Sequence, residues 1–165
     1  MQDAAGDDWN QRIARLWTTF DDHEPAAFRA AVQALADERP EDDAVALFEL
    51  ASSNDSTGRE AHAAPLYRRA LENGLTGIRR RRATIQLAST LRNLGQADEA
   101  VALLRAERTR TSDELDDAVV AFLALALVDT GHEREAAALA LEAMSRHLPR
   151  YNRSLARYAA DIATR

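Results

Sequence analysis

The sequence predicts an all-α protein, a right-handed superhelical stack of helix-turn-helix hairpins closed by a C-terminal capping helix. Three observations carry that expectation. Gly58, Gly95 and Gly131 stand 37 and 36 residues apart. Each follows a Leu-Ala pair at one offset (Leu50-Ala51, Leu87-Ala88, Leu123-Ala124), and an alanine follows each five residues on (Ala63, Ala100, Ala136). Apolar residues recur at helical spacing on both sides of each glycine, and no strand-like alternation appears. Self-similarity at a fixed period of this size marks stacked supersecondary units, each burying its apolar face against the next.

The first unit, residues 1–40, reads as a degenerate capping hairpin, because a terminal unit must show one face to solvent. Its first helix, about 7–22, carries Trp9, Ile13, Leu16, Trp17 and Phe20 as one apolar stripe. Its second, about 25–38, opens on Pro25, suited to a first helical position, and Pro40 stops it. Residues 42–75 form the first clear repeat, with helices about 42–57 and 59–73; Pro65 is expected to distort the start of the second. Residues 77–110 form the next, with helices 77–94 and 97–109. Thr111 and Glu114 then stand at capping-box spacing. Residues 113–149 form the third repeat, with helices 113–130 and 133–147, and 150–165 form the capping helix with Tyr151, Leu155, Tyr158 and Ile162 as one stripe. Each repeat glycine is expected in a left-handed conformation, and the small residues on the paired helices allow close approach. No linker divides the chain, so one domain is expected.

The same residues carry a family resemblance. The Leu-small pair, the glycine, then Ala, a large residue and Ala (Ala63, Tyr67, Ala70) resemble the tetratricopeptide repeat. Gly95-Gln96-Ala97-Asp98-Glu99-Ala100 is especially similar. The likeness covers 42–149 well. It departs at Leu47, Thr84 and Val120, where a large aromatic is expected, in a period longer than the usual ~34 residues, and at Glu107, where a small residue is expected. Glu107 is therefore expected to loosen helix 97–109.

Composition narrows the function. With 165 residues the chain can bury about 70% of its unfolded surface as one domain. Without cysteine it has neither disulfides nor thiolate metal sites. The opening Met1–Asp8 is acidic and lacks the apolar segment of a secretion signal, and no apolar run is long enough to span a bilayer. A cytoplasmic location is expected. All 21 basic residues are arginine, which with abundant alanine suggests a GC-rich bacterial genome. The net charge of −6 argues against general affinity for nucleic acid.

Chemistry has no positive support in the motifs. Asp129-Thr130-Gly131 spells the aspartic-protease triplet, yet it closes a helix and supplies the repeat glycine, as Asp55-Ser56-Thr57-Gly58 does. His23, His62, His132 and His147 lack ligand spacing, and no nucleophile elbow or phosphate loop exists. No enzyme activity, cofactor or metal is expected.

The resemblance instead implies a protein-interaction scaffold, with the first helices of successive repeats lining a concave groove for a peptide or partner helix. Carried over by residue, the groove holds Val45, Phe48, Ser52 and Asp55, then Arg82, Ile85, Ser89, Arg92 and Asn93, then Ala118, Ala121, Leu125 and Val128. Arg82, Arg92 and Asn93 would anchor a partner by charge-assisted hydrogen bonds. Two alternatives stand beside this. Arg79-Arg80-Arg81-Arg82 could serve a regulator that binds an anionic ligand or nucleic acid, though on a helix the four point in different directions and a solvated helix start with one ion pair is the plainer reading. Ala118–Val128, apolar on every side, is expected to be buried all round, by the last helix, by tight closure of the superhelix, or by a second copy in a homodimer.

Overall fold

The computed structural model describes residues 4–110 and 112–164, with side chains from Asp8 onward. All regular structure among them is helical: α1 (Ala4–Thr18), a short 3-10 helix (Phe20–Asp22), α2 (Pro25–Ala36), α3 (Ala44–Asp55), α4 (Glu60–Glu72), α5 (Gly77–Asn93), α6 (Ala97–Arg108), α7 (Asp116–Asp129), α8 (Glu133–Ser145) and α9 (Asn152–Ala163). The repeat glycines end α3, α5 and α7 in one way. Gly58, Gly95 and Gly131 have φ of 72°, 77° and 76°. The amide after each reaches back to a carbonyl five residues earlier: Arg59 to Asn54 at 2.9 Å, Gln96 to Leu91 at 2.8 Å, His132 to Leu127 at 2.8 Å. This closure satisfies carbonyls that a helix end leaves open and reverses the chain into the next helix. A Cβ at any of the three would meet nothing within 4 Å, so the backbone conformation alone demands glycine.

The chain falls into two compact units that divide at Arg79 and Arg80, in the first turn of α5. In the first unit, Trp9, Ile13, Phe28 and Val32 bury the facing stripes of α1 and α2. The Trp9 indole donates to the Leu35 carbonyl at 2.8 Å, and the Arg39 guanidinium lies 4.7 Å from its ring. Trp17 donates to the buried Glu49 carboxylate of α3 at 2.7 Å, which ties α1 to the first repeat. The expected 7–22 helix thus stops at Thr18 and continues as a 3-10 turn that carries Phe20 onto Phe28, rings 4.8 Å apart.

Helices α3 and α4 pack as a close hairpin, with Ala51, Ala63 and Ala70 buried at the contact. Tyr67 fills the remaining volume beside Phe48, and its hydroxyl donates to Asp55 at 3.3 Å. α4 runs through Pro65 without interruption because that residue faces solvent, where water can serve the carbonyl left without a donor.

In the second unit, α6, α7, α8 and α9 pack each on the next in chain order. Ala88, Ala100 and Ala136 are buried, as their counterparts Ala51 and Ala63 are. Three expectations change here. First, Glu107 does not loosen α6, since it is buried and bonded to Arg80 and Arg81. Second, α7 begins at Asp116, not at 113, because Asp113 and Asp116 turn their carboxylates to other partners: Asp113 accepts the Leu115 amide at 2.8 Å and Asp116 the Asp113 amide at 3.2 Å. The anticipated capping box involves Thr111, which lies outside the described residues. Third, α7 is not buried all round, because Leu125 and Val128 keep 45% and 49% of their surface exposed.

Candidate interaction surface

The residues expected to line a groove separate by burial. Phe48 and Ser52 are buried within the first unit, Phe48 against Tyr67 and Ser52 close to its hydroxyl. Ile85 is buried in the second unit. These three serve the packing and offer a partner no surface. Arg82 and Asn93 are exposed on α5, Ser89 is half-buried between them in sequence, and Leu125 is exposed on α7. Arg92 is half-buried and bonded to Asp129.

Two ion pairs set α5 beside α7. Arg81 Nη2 meets Asp116 Oδ1 at 2.5 Å near one pair of ends, and Arg92 meets Asp129 at the other. The partners lie 35 and 37 residues apart, close to the repeat period, so the two helices run in parallel and in register. Between the clamps, α7 presents Ala121, Leu125 and Val128 outward at positions i, i+4 and i+7. Its other faces bury Val119, Leu123, Ala126 and Leu127. α7 thus exposes apolar side chains, while α5 exposes Arg82 and Asn93.

The arginine run is largely internal. Arg79 donates to Asn10 at 2.8 Å and lies 3.6 Å from Glu49. Arg80 grips Glu107 with two bonds, of 2.9 and 2.6 Å. Arg81, 2% exposed, meets Glu107, Asp113 and Asp116 at 3.5, 2.9 and 2.5 Å. The sequence suggests one ion pair from this run; Arg79, Arg80 and Arg81 all bond to carboxylates or an amide, and Arg82 is the exposed member of the four. Sequence spacing could not show this, because the partners of Arg81 lie 26 to 35 residues away. A signal did exist: the acidic Glu107 at a position where the matching residue of the preceding repeat is Ala70.

The Arg81 cluster opens on a cleft of about 500 Å³, floored by Val119, Val120, Leu139 and Ala143 and rimmed by charge. Its guanidinium groups face carboxylates: Arg146 bonds Asp117, and Arg108 lies 3.9 Å from Glu142. The bond from Ser112, the Asp113 amide and the charge of Arg81 hold the Asp116 carboxyl below its usual range. Bonds from Arg146 and His147 do the same for Asp117.

The other residues with chemical potential have local roles. Thr130 of the Asp-Thr-Gly triplet donates back to Ala126 at 3.2 Å, and Thr57 donates likewise to Ser53 at 2.7 Å. His23 sits by Thr19, His62 by Arg59, His132 by Thr130 and His147 by Asp117. Among the described residues, no three acidic or histidine side chains gather as metal ligands.

A family model described as Tetratrico peptide repeat matches residues 44–162, most of the chain, from the first residue of α3 to the last turn of α9. The chain belongs to the tetratricopeptide repeat family. No curated protein and no solved structure matches it. The tetratricopeptide repeat is an interaction module that generally carries no catalysis, and the matched residues run from α3 into α9. The α1–α2 hairpin lies outside the matched residues. No described helix of this tetratricopeptide repeat protein is long and apolar enough to cross a membrane.

Proposed function

We propose that this chain is a non-catalytic scaffold that holds a peptide or helix of a partner protein against α5 and α7. Arg82, Ser89 and Asn93 supply polar anchors, and Leu125 with Val128 supplies the apolar contact. The observation that carries the reading is the outward apolar row Ala121, Leu125, Val128 on a helix clamped at both ends by Arg81–Asp116 and Arg92–Asp129. Exposed apolar rows on an otherwise well-buried helix mark interaction sites. Arg92, bonded to Asp129, orients the edge of that surface. The internal bonds of Arg79, Arg80 and Arg81 argue against a cationic patch for nucleic acid or a small anion.

A photo-crosslinking residue placed at Leu125 tests this in the native cell. A discrete adduct at Leu125 that is missing when the label stands at the exposed Arg134 of α8 supports the reading. Equal labelling at both positions, or none at Leu125, refutes it.

A second reading uses the same row: a second copy of the chain covers Leu125 and Val128. Sedimentation separates the two, since a dimer that Leu125→Asp dissolves favours self-association.

A further inference from the structure

Two clefts of this chain occupy the same place in two different repeats. The first, of about 430 Å³, lies between the end of α2, the start of α3 and the end of α4, where Glu41, Ala46, Leu47, Leu66 and Arg69 line it. The second is the Arg81 cleft of about 500 Å³, with Glu114, Val119, Val120, Leu139 and Glu142 at the matching positions. Each matched pair stands 73 residues apart, as Gly58 and Gly131 do. The cavity is therefore a product of the repeated hairpin. What distinguishes the two clefts is the rim.

Around the first cleft, Asp37 and Glu41 balance Arg39 and Arg69. Around the second, four carboxylates come from the start of the third repeat, Asp113, Glu114, Asp116 and Asp117, and a fifth is Glu142 of α8. Three guanidinium groups, of Arg81, Arg108 and Arg146, oppose these five, which leaves two negative charges in excess. Arg81 lies within 2.9 Å of Asp113 and Asp116, and Arg146 bonds Asp117, so both guanidinium groups are committed. The same bonds keep Asp116 and Asp117 ionised at neutral pH. Glu114 is exposed on the rim, and Glu142 lies 3.9 Å from Arg108. These two carboxylates are the less tightly held, and they border an apolar floor.

We infer that the second cleft binds a small organic dication, an alkyl chain with an ammonium group at each end. The chain lies on Val119, Val120 and Leu139, where its methylene groups leave water for apolar surface. The ammonium groups meet rim carboxylates in charge-assisted hydrogen bonds. Two positive charges match the two in excess. A metal ion does not fit, because among the described residues no three acidic or histidine side chains gather to hold one. An anion would meet net negative charge. A wholly apolar ligand would strip water from the charged rim without replacing its hydrogen bonds. The cleft shares no residue with the exposed row Ala121, Leu125 and Val128, so the inference stands apart from the partner surface.

An amide NMR titration of the full chain with 1,5-diaminopentane tests this. Saturable shifts should appear at Val119, Val120 and Leu139 and not at Ala46 and Leu47. Pentylamine, with one charge, should bind about tenfold more weakly, and pentane-1,5-diol should leave the amides unmoved. Glu142→Arg gives the second cleft the residue type that the first has in Arg69 and balances the rim. It should weaken the diamine by about tenfold or more. Glu114→Gln, a milder change at an exposed position, should weaken it about threefold, and Leu125→Asp should change nothing. The inference is overturned if the diamine leaves the cleft amides unmoved, if the diol binds as well, or if either Glu142→Arg or Glu114→Gln binds it unchanged. A lysine-containing peptide that binds the cleft as tightly as the diamine would make it a contact for a protein, and would overturn the inference too.

Discussion

Arg81 of α5 and Glu107 of α6 face each other at 3.5 Å, with only 2% and 1% of their side chains exposed. Arg80 closes on the same carboxylate and its guanidinium is held above its usual range by that bond. Asp113 and Asp116 complete the cluster from the start of the third repeat. A buried arginine tolerates its desolvation only while its carboxylates are in place.

Removal of Glu107 should therefore be severe. Glu107→Ala leaves Arg80 and Arg81 short of a partner and should cost about 3–5 kcal/mol. Arg105→Ala, which breaks the exposed pair with Glu135, should cost under about 1 kcal/mol. Urea unfolding of the two variants checks the contrast, and equal losses would contradict the buried cluster.

The turn glycines separate conformation from space. Gly95→Ala places its Cβ in open room but in a left-handed backbone, so it should cost about 1–2 kcal/mol. Gly95→Asn should cost less, because asparagine visits that region more readily. Thermal melts of both variants decide it.

Tyr151 gives the opposite sign. Its left-handed φ makes Tyr151→Gly a release of strain, and the free chain should gain up to about 1 kcal/mol. A thermal melt checks the gain, and an unchanged or lower midpoint would contradict it.

Acid should loosen the start of α7. The carboxyls of Asp116 and Asp117 are depressed in the fold relative to a value near 3.8, so each releases its proton more readily when folded. Their stabilisation is fully present above about pH 4 and is lost as pH falls through the lower, folded values. Asp116→Asn with Asp117→Asn should be less stable at neutral pH and should lose less on acidification from about pH 5 to pH 3. A denaturation series across that window checks the slope.

Much of the fold is legible in the residues alone. The period of Gly58, Gly95 and Gly131 identifies the hairpins because a left-handed turn leaves few choices of residue, and the buried alanines follow from helical spacing. The site is harder to read. Phe48, Ser52 and Ile85 share a spacing with exposed residues, and only packing shows that they face inward. α7 is apolar on every side, so its sequence carries no phase to say that Leu125 and Val128 face out. The fate of the arginine run depends on Glu107, Asp113 and Asp116, residues that periodicity within one helix cannot reach.

On the proposed reading, the apolar row of α7 meets a partner protein. Crosslinking from position 125 in the native cell, compared with position 134, is the most direct measurement. A single partner adduct specific to position 125 is the expected result. The same pattern from both positions, or no adduct at 125, would show that this row meets no specific partner.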